Sequence, residues 1–148
     1  MKKRKRNCQR KPELANTHMT KEQITKAFEH LPLPIDSCWL VMGAALVMHG
    51  IRNETLDIDI GCTPEAFDML VNLGYHVTSS RSGLRKLSLN SEITVYEGFY
   101  TQRVHYIDGV PVADLASIRK TKATFGRPKD LSDIERIDQY LARMNQND

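Results

Sequence analysis

Apolar positions first recur with helical period in "MTKEQITKAFEHL", where Ile24, Ala27, Phe28 and Leu31 share one face. Thr20 suits the N-cap, and Gln23 three residues later completes a capping box. "LPLPID" ends this helix, because Pro32 and Pro34 cannot continue it. "SCWLVM" is a continuous apolar run and predicts a buried strand. "GAALVMHG" predicts a short helix opened by Gly43 and closed by Gly50. The pattern then changes to period two in "TLDIDI": Leu56, Ile58 and Ile60 fall on one face, Thr55, Asp57 and Asp59 on the other. "TPEAFDMLVNLG" predicts a helix with Thr63 as N-cap, Pro64 at its first position and Gly74 at its end.

Strand patterns follow in "YHVTS", "LRKLSL", "EITVYE", "RVHYI" and "VPVA", with Asp108-Gly109 as a hairpin turn. Two helices close the chain, about 114 to 125 and 131 to 144. Asp114 or Ala116 starts the first, and Asp130 or Ser132 caps the second. The order of helix, strand, helix, strand, helix, several strands and two helices predicts an α+β fold with a mixed sheet.

The totals fit that picture. The 148 residues suit a single domain over 18–148. A hydrophobic fraction of 41% and a charged fraction of 26% are those of a globular protein, and no apolar run is long enough to span a membrane. Three scattered cysteines, Cys8, Cys38 and Cys62, form no CxxC pair, which points to a reducing cytoplasm and to small core residues.

Charge is divided unevenly. "MKKRKRNCQRK" carries seven of the 21 basic residues, leaving 14 basic against 18 acidic residues, a net of four negative charges. Residues 1–17 therefore read as a basic, disordered tail on a mildly acidic body. Such a tail suits nucleic acid through counterion release; a solvated tail without a specific partner is the plainer alternative.

The two acids in "TLDIDI" carry the chemistry. Asp57 and Asp59 lie on one side of a strand, where their oxygens can converge on a hard cation. Mg²⁺ (or Mn²⁺) would relieve the repulsion between two neighbouring carboxylates; an edge strand with its acids in water is the alternative. Gly43 opens a helix just after a buried strand, where backbone N–H groups can meet a phosphate.

"MGAALVMHGIRNETLDIDI" resembles the motif of the nucleotidyltransferase superfamily with the DNA polymerase beta-like fold: strand, Gly-Ser or Gly-Gly, helix, then D-h-D-h on the next strand. His-Gly and Arg-x-x-Thr before the acids are similar to small bacterial and phage members, both antibiotic-modifying and toxin–antitoxin or abortive-infection types. "RKTKATFGRPKDLSDIERI" is similar to their closing segment. The resemblance spans about residues 38 to 141. It implies transfer of a nucleoside monophosphate from an NTP to a hydroxyl-type acceptor, with release of pyrophosphate. Gly43 and Ala44 would sit by the phosphates, and Asp57 and Asp59 would hold the metal.

Two positions depart from the family pattern. Ala44 replaces a hydroxyl residue. Thr94, between Ile93 and Val95, aligns with the third carboxylate, which leaves Glu92 on the same face as the candidate acid and Glu97 as a second choice that needs a bulge. Arg52 would pair with Asp59 or contact a phosphate, and Lys122 would neutralise the triphosphate; a surface Arg and a solvated Lys are the alternatives. His49 reads as a helix-end residue and Trp39 as core or near-core. "SRSGLRK" reads as a phosphate- or acceptor-covering loop, or as an ordinary hairpin link. Three functions follow: a metal-dependent nucleotidyltransferase, a catalytically degenerate nucleotide- or partner-binding module, or a nucleic-acid binder led by its tail. A homodimer or partner protein could complete the cleft of so short a chain.

Overall fold

Five side chains, Leu87, Val95, Ile60, Leu40 and Val112, stand in one row across five neighbouring strands, each at most 2% exposed. The computed structural model that shows this describes residues 18–146. The strands are β1 (Cys38–Val41), β2 (Ile58–Cys62), β3 (Thr78–Ser79), β4 (Arg85–Ser88), β5 (Ile93–Glu97), β6 (Val104–Ile107) and β7 (Val110–Ala113), in spatial order β3-β4-β5-β2-β1-β7-β6. β1 pairs antiparallel with β2 and parallel with β7; β2 pairs parallel with β5. The sheet is therefore mixed and the fold α+β.

Helices α1 (Lys21–Glu29), α2 (Met42–Met48) and α3 (Pro64–Asn72) supply Ile24, Phe28, Leu46, Met48, Phe67 and Leu70 to the core that covers the apolar row. Thr20 and Gln23 close the capping box on α1, and Thr63 caps α3 with Pro64 inside it. Helices α4 (Leu115–Phe125) and α5 (Pro128–Gln146) pack on one another, clipped by Arg119 and Asp138 at 2.7 and 2.9 Å. Asp108 and Gly109 both have positive φ, 52° and 80°, as a two-residue hairpin turn between β6 and β7 requires.

Three expected elements differ. The strand through the acids starts at Ile58, not Thr55; Thr55 instead pairs with Met19, and Leu56 is exposed rather than on the core face. "YHVTS" contributes only Thr78–Ser79. The last helix starts at Pro128, so neither Asp130 nor Ser132 caps it. Gly126, at φ 65°, ends α4 in the left-handed conformation, Pro128 suits a helical start, and Asp130 in the first turn accepts from the backbone N–H of Arg127 at 3.2 Å. "SRSGLRK" forms the β3–β4 link, closed by Ser80 N–H donating to Leu84 at 2.8 Å. The basic tail and Cys8 lie outside the described residues. Cys38 and Cys62 are buried register partners and free thiols. No helix among the described residues is long and apolar enough to cross a membrane.

Candidate functional site

The face opposite the apolar row carries the polar positions. Residues paired in register point to one side of a sheet, so Ser88, Thr94, Asp59 and Val41 form one row across β4, β5, β2 and β1. Lys86, Tyr96, Gly61 and Trp39 form the next. Gly61 is required there: a Cβ would stand 2.5 Å from Trp39 Nε1, which donates to the Phe99 carbonyl at 3.2 Å. Trp39 is half-buried, packed against the core as a near-core residue, on the same face as Asp59.

The β1–α2 turn lies beside this row. Val41 is the register partner of Asp59, and the chain leaves β1 directly through Met42 and Gly43. Because β2 runs antiparallel, Asp57 lies on the same side of that pair as the turn. Met42 has φ 55°, a left-handed conformation that costs a non-glycine residue about 1 kcal/mol or more. Gly43 admits no side chain, since a Cβ would be 2.7 Å from Thr55 Oγ1 and 3.2 Å from Arg52 Nη1. Ala44 is fully buried and offers the turn only its backbone. Thr55 is buried as well; its hydroxyl donates to the Asp57 carbonyl at 3.3 Å, which steadies the approach to β2.

Electrostatics link the acids to each other and to a ring of cations. Asp57 is exposed and Asp59 half-buried. Burial pushes the Asp59 carboxyl up to about 6, and the neighbouring Asp57 charge adds to the rise; Lys129, Lys86 and Lys122 pull the other way. Tyr96 is pushed up to about 12 by burial and by both aspartates. Lys86 from β4, Arg127 just before α5 and Lys129 in its first turn thus lie near the acid row; the sequence pointed to them only as members of "SRSGLRK" and of the closing segment "RKTKATFGRPKDLSDIERI". The alternation of "LRKLSL", with Leu87 inward, was a usable signal for Lys86.

The other candidate residues occupy distinct places. Glu92 is half-buried just before β5, two residues from Thr94; its carbonyl accepts from Ile58 N–H at 2.8 Å. Thr94 itself is the register partner of Asp59. Glu97 pairs with Cys62 and so faces the opposite side, bound to Arg85 at 2.9 Å. Arg52 does not reach Asp59 as a salt-bridge partner; its Nη1 is 3.9 Å from Asp133 Oδ2. Lys122 is only 3% exposed, held 2.9 Å from Asp133 and 3.5 Å from Asp130. Its charge reaches Asp59, but its ammonium is already paired. Asp130, an acid in the first turn of α5, and Asp133, three residues on, are thus also buried counter-ions. His49 Nε2 lies 2.8 Å from the Ala113 carbonyl, and burial lowers its pKa.

Two carboxylates on an open face are a sparse set of oxygen donors, as suits a cation that completes its shell with water and phosphate. Among the described residues no three His, Cys, Asp or Glu side chains converge on one point. The pair fits Mg²⁺ or Mn²⁺ on chemistry: hard oxygen donors, and a mutual repulsion that a dication would remove.

No family model matches the chain, and no curated protein matches it. Among solved structures it is similar to a Thermotoga maritima protein described as a "putative nucleotidyltransferase", at 13% identity and a TM-score of 0.50. The match covers 82% of this chain and 90% of that one. At such identity the likeness carries the architecture alone: the fold is nucleotidyltransferase-like.

Proposed function

We propose that this nucleotidyltransferase-like chain is a divalent-metal-dependent nucleotidyltransferase, transferring a nucleoside monophosphate from an NTP to a hydroxyl-type acceptor. One observation carries the reading: the pairing of Val41 with Asp59 sets the Met42–Gly43 turn directly beside the aspartate pair. In this account Asp57 and Asp59 hold Mg²⁺ or Mn²⁺, and the backbone at Gly43 and Ala44 meets the donor phosphates. The metal, when bound, neutralises phosphate charge and orients the α-phosphoryl group. The acceptor oxygen forms a bond to the α-phosphorus as the bond to the β-phosphate oxygen breaks, and pyrophosphate leaves. The acceptor proton passes to Glu92 or to solvent. Arg52 and the cations Lys86, Arg127 and Lys129 offset the remaining charge, while Lys122 contributes through its field.

The second reading is a degenerate module that binds nucleotide or a partner without transfer. Thr94 favours it, because a threonine beside Asp59 supplies no carboxylate to hold a second ion or take the acceptor proton. Pyrophosphate release across NTPs and a panel of hydroxyl acceptors, including RNA ends, separates the two. The enzyme reading expects metal-dependent release that Asp57→Asn abolishes and Glu92→Gln lowers. Metal-dependent NTP binding with no release from any acceptor supports the module instead.

A further inference from the structure

A recess of about 360 Å³ opens beside the segment that leads into the acids, lined by His18, Ile51, Arg52, Asn53, Glu54 and Arg136. Arg52 belongs both to this recess and to the surroundings of Gly43, where its Nη1 lies 3.2 Å from the position a Cβ would take. The recess and the β1–α2 turn therefore share a guanidinium.

The charge around Arg52 is unbalanced. Asp133 has Lys122 at 2.9 Å, Arg136 at 3.8 Å and Arg52 at 3.9 Å; Asp130 has Arg127 at 2.6 Å and Lys122 at 3.5 Å. Four cations thus meet two carboxylates. Glu54 is the acid in the recess wall, 3.9 Å from His18. Counting it leaves one positive charge within this cluster; Asp59 lies in the fields of Lys122 and Arg127, so the unmatched cations of the recess are Arg52 and Arg136. The tight contacts to Asp133 and Asp130 belong to Lys122 and Arg127. Arg52 and Arg136 stand at ion-pair distance, beyond the roughly 3.2 Å reach of an N–H···O bond, with 30% and 54% of their side chains exposed. Their planar forks are available to an incoming anion, and phosphate oxygens match that geometry.

We propose that this recess is a polyphosphate subsite, in which Arg136 and Arg52 receive the β- and γ-phosphates of the donor and then the pyrophosphate it releases. Asp133 acts as a positioning residue: its carboxylate, fixed by Lys122, holds both guanidiniums toward the recess. The proposal rests on the nucleotidyltransferase reading for the identity of the donor, but the anion subsite can be tested without turnover.

The test is calorimetric titration of the full chain with sodium pyrophosphate in the absence of divalent metal, alongside NTP with Mn²⁺. The subsite expects metal-free pyrophosphate binding, weakened about tenfold in Arg136→Gln and not weakened in Asp57→Asn. Arg136 is exposed enough for the variant to keep its melting temperature, which is checked in parallel. Pyrophosphate binding as tight in Arg136→Gln as in the unaltered chain, or none at millimolar pyrophosphate, overturns the proposal. Metal-free binding that needs Arg136, with no NTP binding in Mn²⁺, upholds the anion subsite and overturns the nucleotidyltransferase reading instead.

Discussion

Asp59 and Thr94 are register partners on adjacent parallel strands, so their side chains emerge side by side on the polar face of the sheet. A carboxylate at 94 would lie next to Asp59 and Asp57 and give a divalent ion a third protein ligand. Thr94→Asp is expected to tighten Mn²⁺ binding about tenfold in calorimetric titration. The metal-free protein should lose stability, because three like charges then share one patch. Unchanged Mn²⁺ affinity would show that position 94 does not face the ion.

The Asp59 carboxyl, raised to about 6, makes a signed prediction. Its folded pKa lies above the unfolded value, so the folded state holds that proton more tightly. The stabilising contribution is complete below about pH 4 and is lost as pH rises through about 6. Asp59→Asn should therefore make the metal-free protein more stable at pH 7, by about 1–2 kcal/mol, with the advantage gone by pH 4. Denaturant melts at both pH values measure it. Mn²⁺ binding should weaken as pH falls through 6, since the metal competes with that proton.

Gly43→Ala places a Cβ 2.7 Å from Thr55 Oγ1, and both groups are held by the β1–α2 turn and the Met19–Thr55 bridge. A loss of about 1–3 kcal/mol is expected, partly recovered by Thr55→Ala in the double variant. Additive losses in urea melts would mean that the two positions do not clash.

Lys122 separates a buried ion pair from a phosphate ligand. Lys122→Ala leaves Asp130 and Asp133 buried without their shared cation, at a cost of about 3–5 kcal/mol. Lys122→Ala with Asp133→Asn should be more stable than Lys122→Ala alone. If Lys122→Ala melts like the unaltered chain and only its NTP affinity falls, the ammonium serves the nucleotide rather than the fold.

Local patterns made most of the fold legible. Capping at Thr20, Thr63 and Asp114, the Asp108-Gly109 turn and the alternation in "EITVYE" need only near neighbours in sequence; it was the family resemblance that aligned Thr94 with a carboxylate beside the aspartates, and the β2–β5 register places it next to Asp59. What the sequence did not reveal depends on distant partners. The start of β2 slips from Thr55 to Ile58 because Thr55 is taken by Met19, 36 positions earlier. Asp133 reads locally as a helix-start acid, yet packing brings Lys122 and Arg52 to it from other elements. Arg127 precedes α5 and Lys129 lies in its first turn; Gly126 and Pro128 set the direction of that start, and only the fold turns it toward the acids.

The central claim is that Asp57 and Asp59 jointly hold a divalent ion against a phosphate seated at the Gly43 turn. Anomalous diffraction from crystals grown with Mn²⁺ and a non-hydrolysable NTP analogue tests it most directly. The account predicts a manganese peak about 2.1–2.2 Å from oxygens of both aspartates, with a phosphate of the analogue between that ion and the Gly43 backbone. Analogue bound elsewhere, or a manganese site that involves neither aspartate, would contradict it.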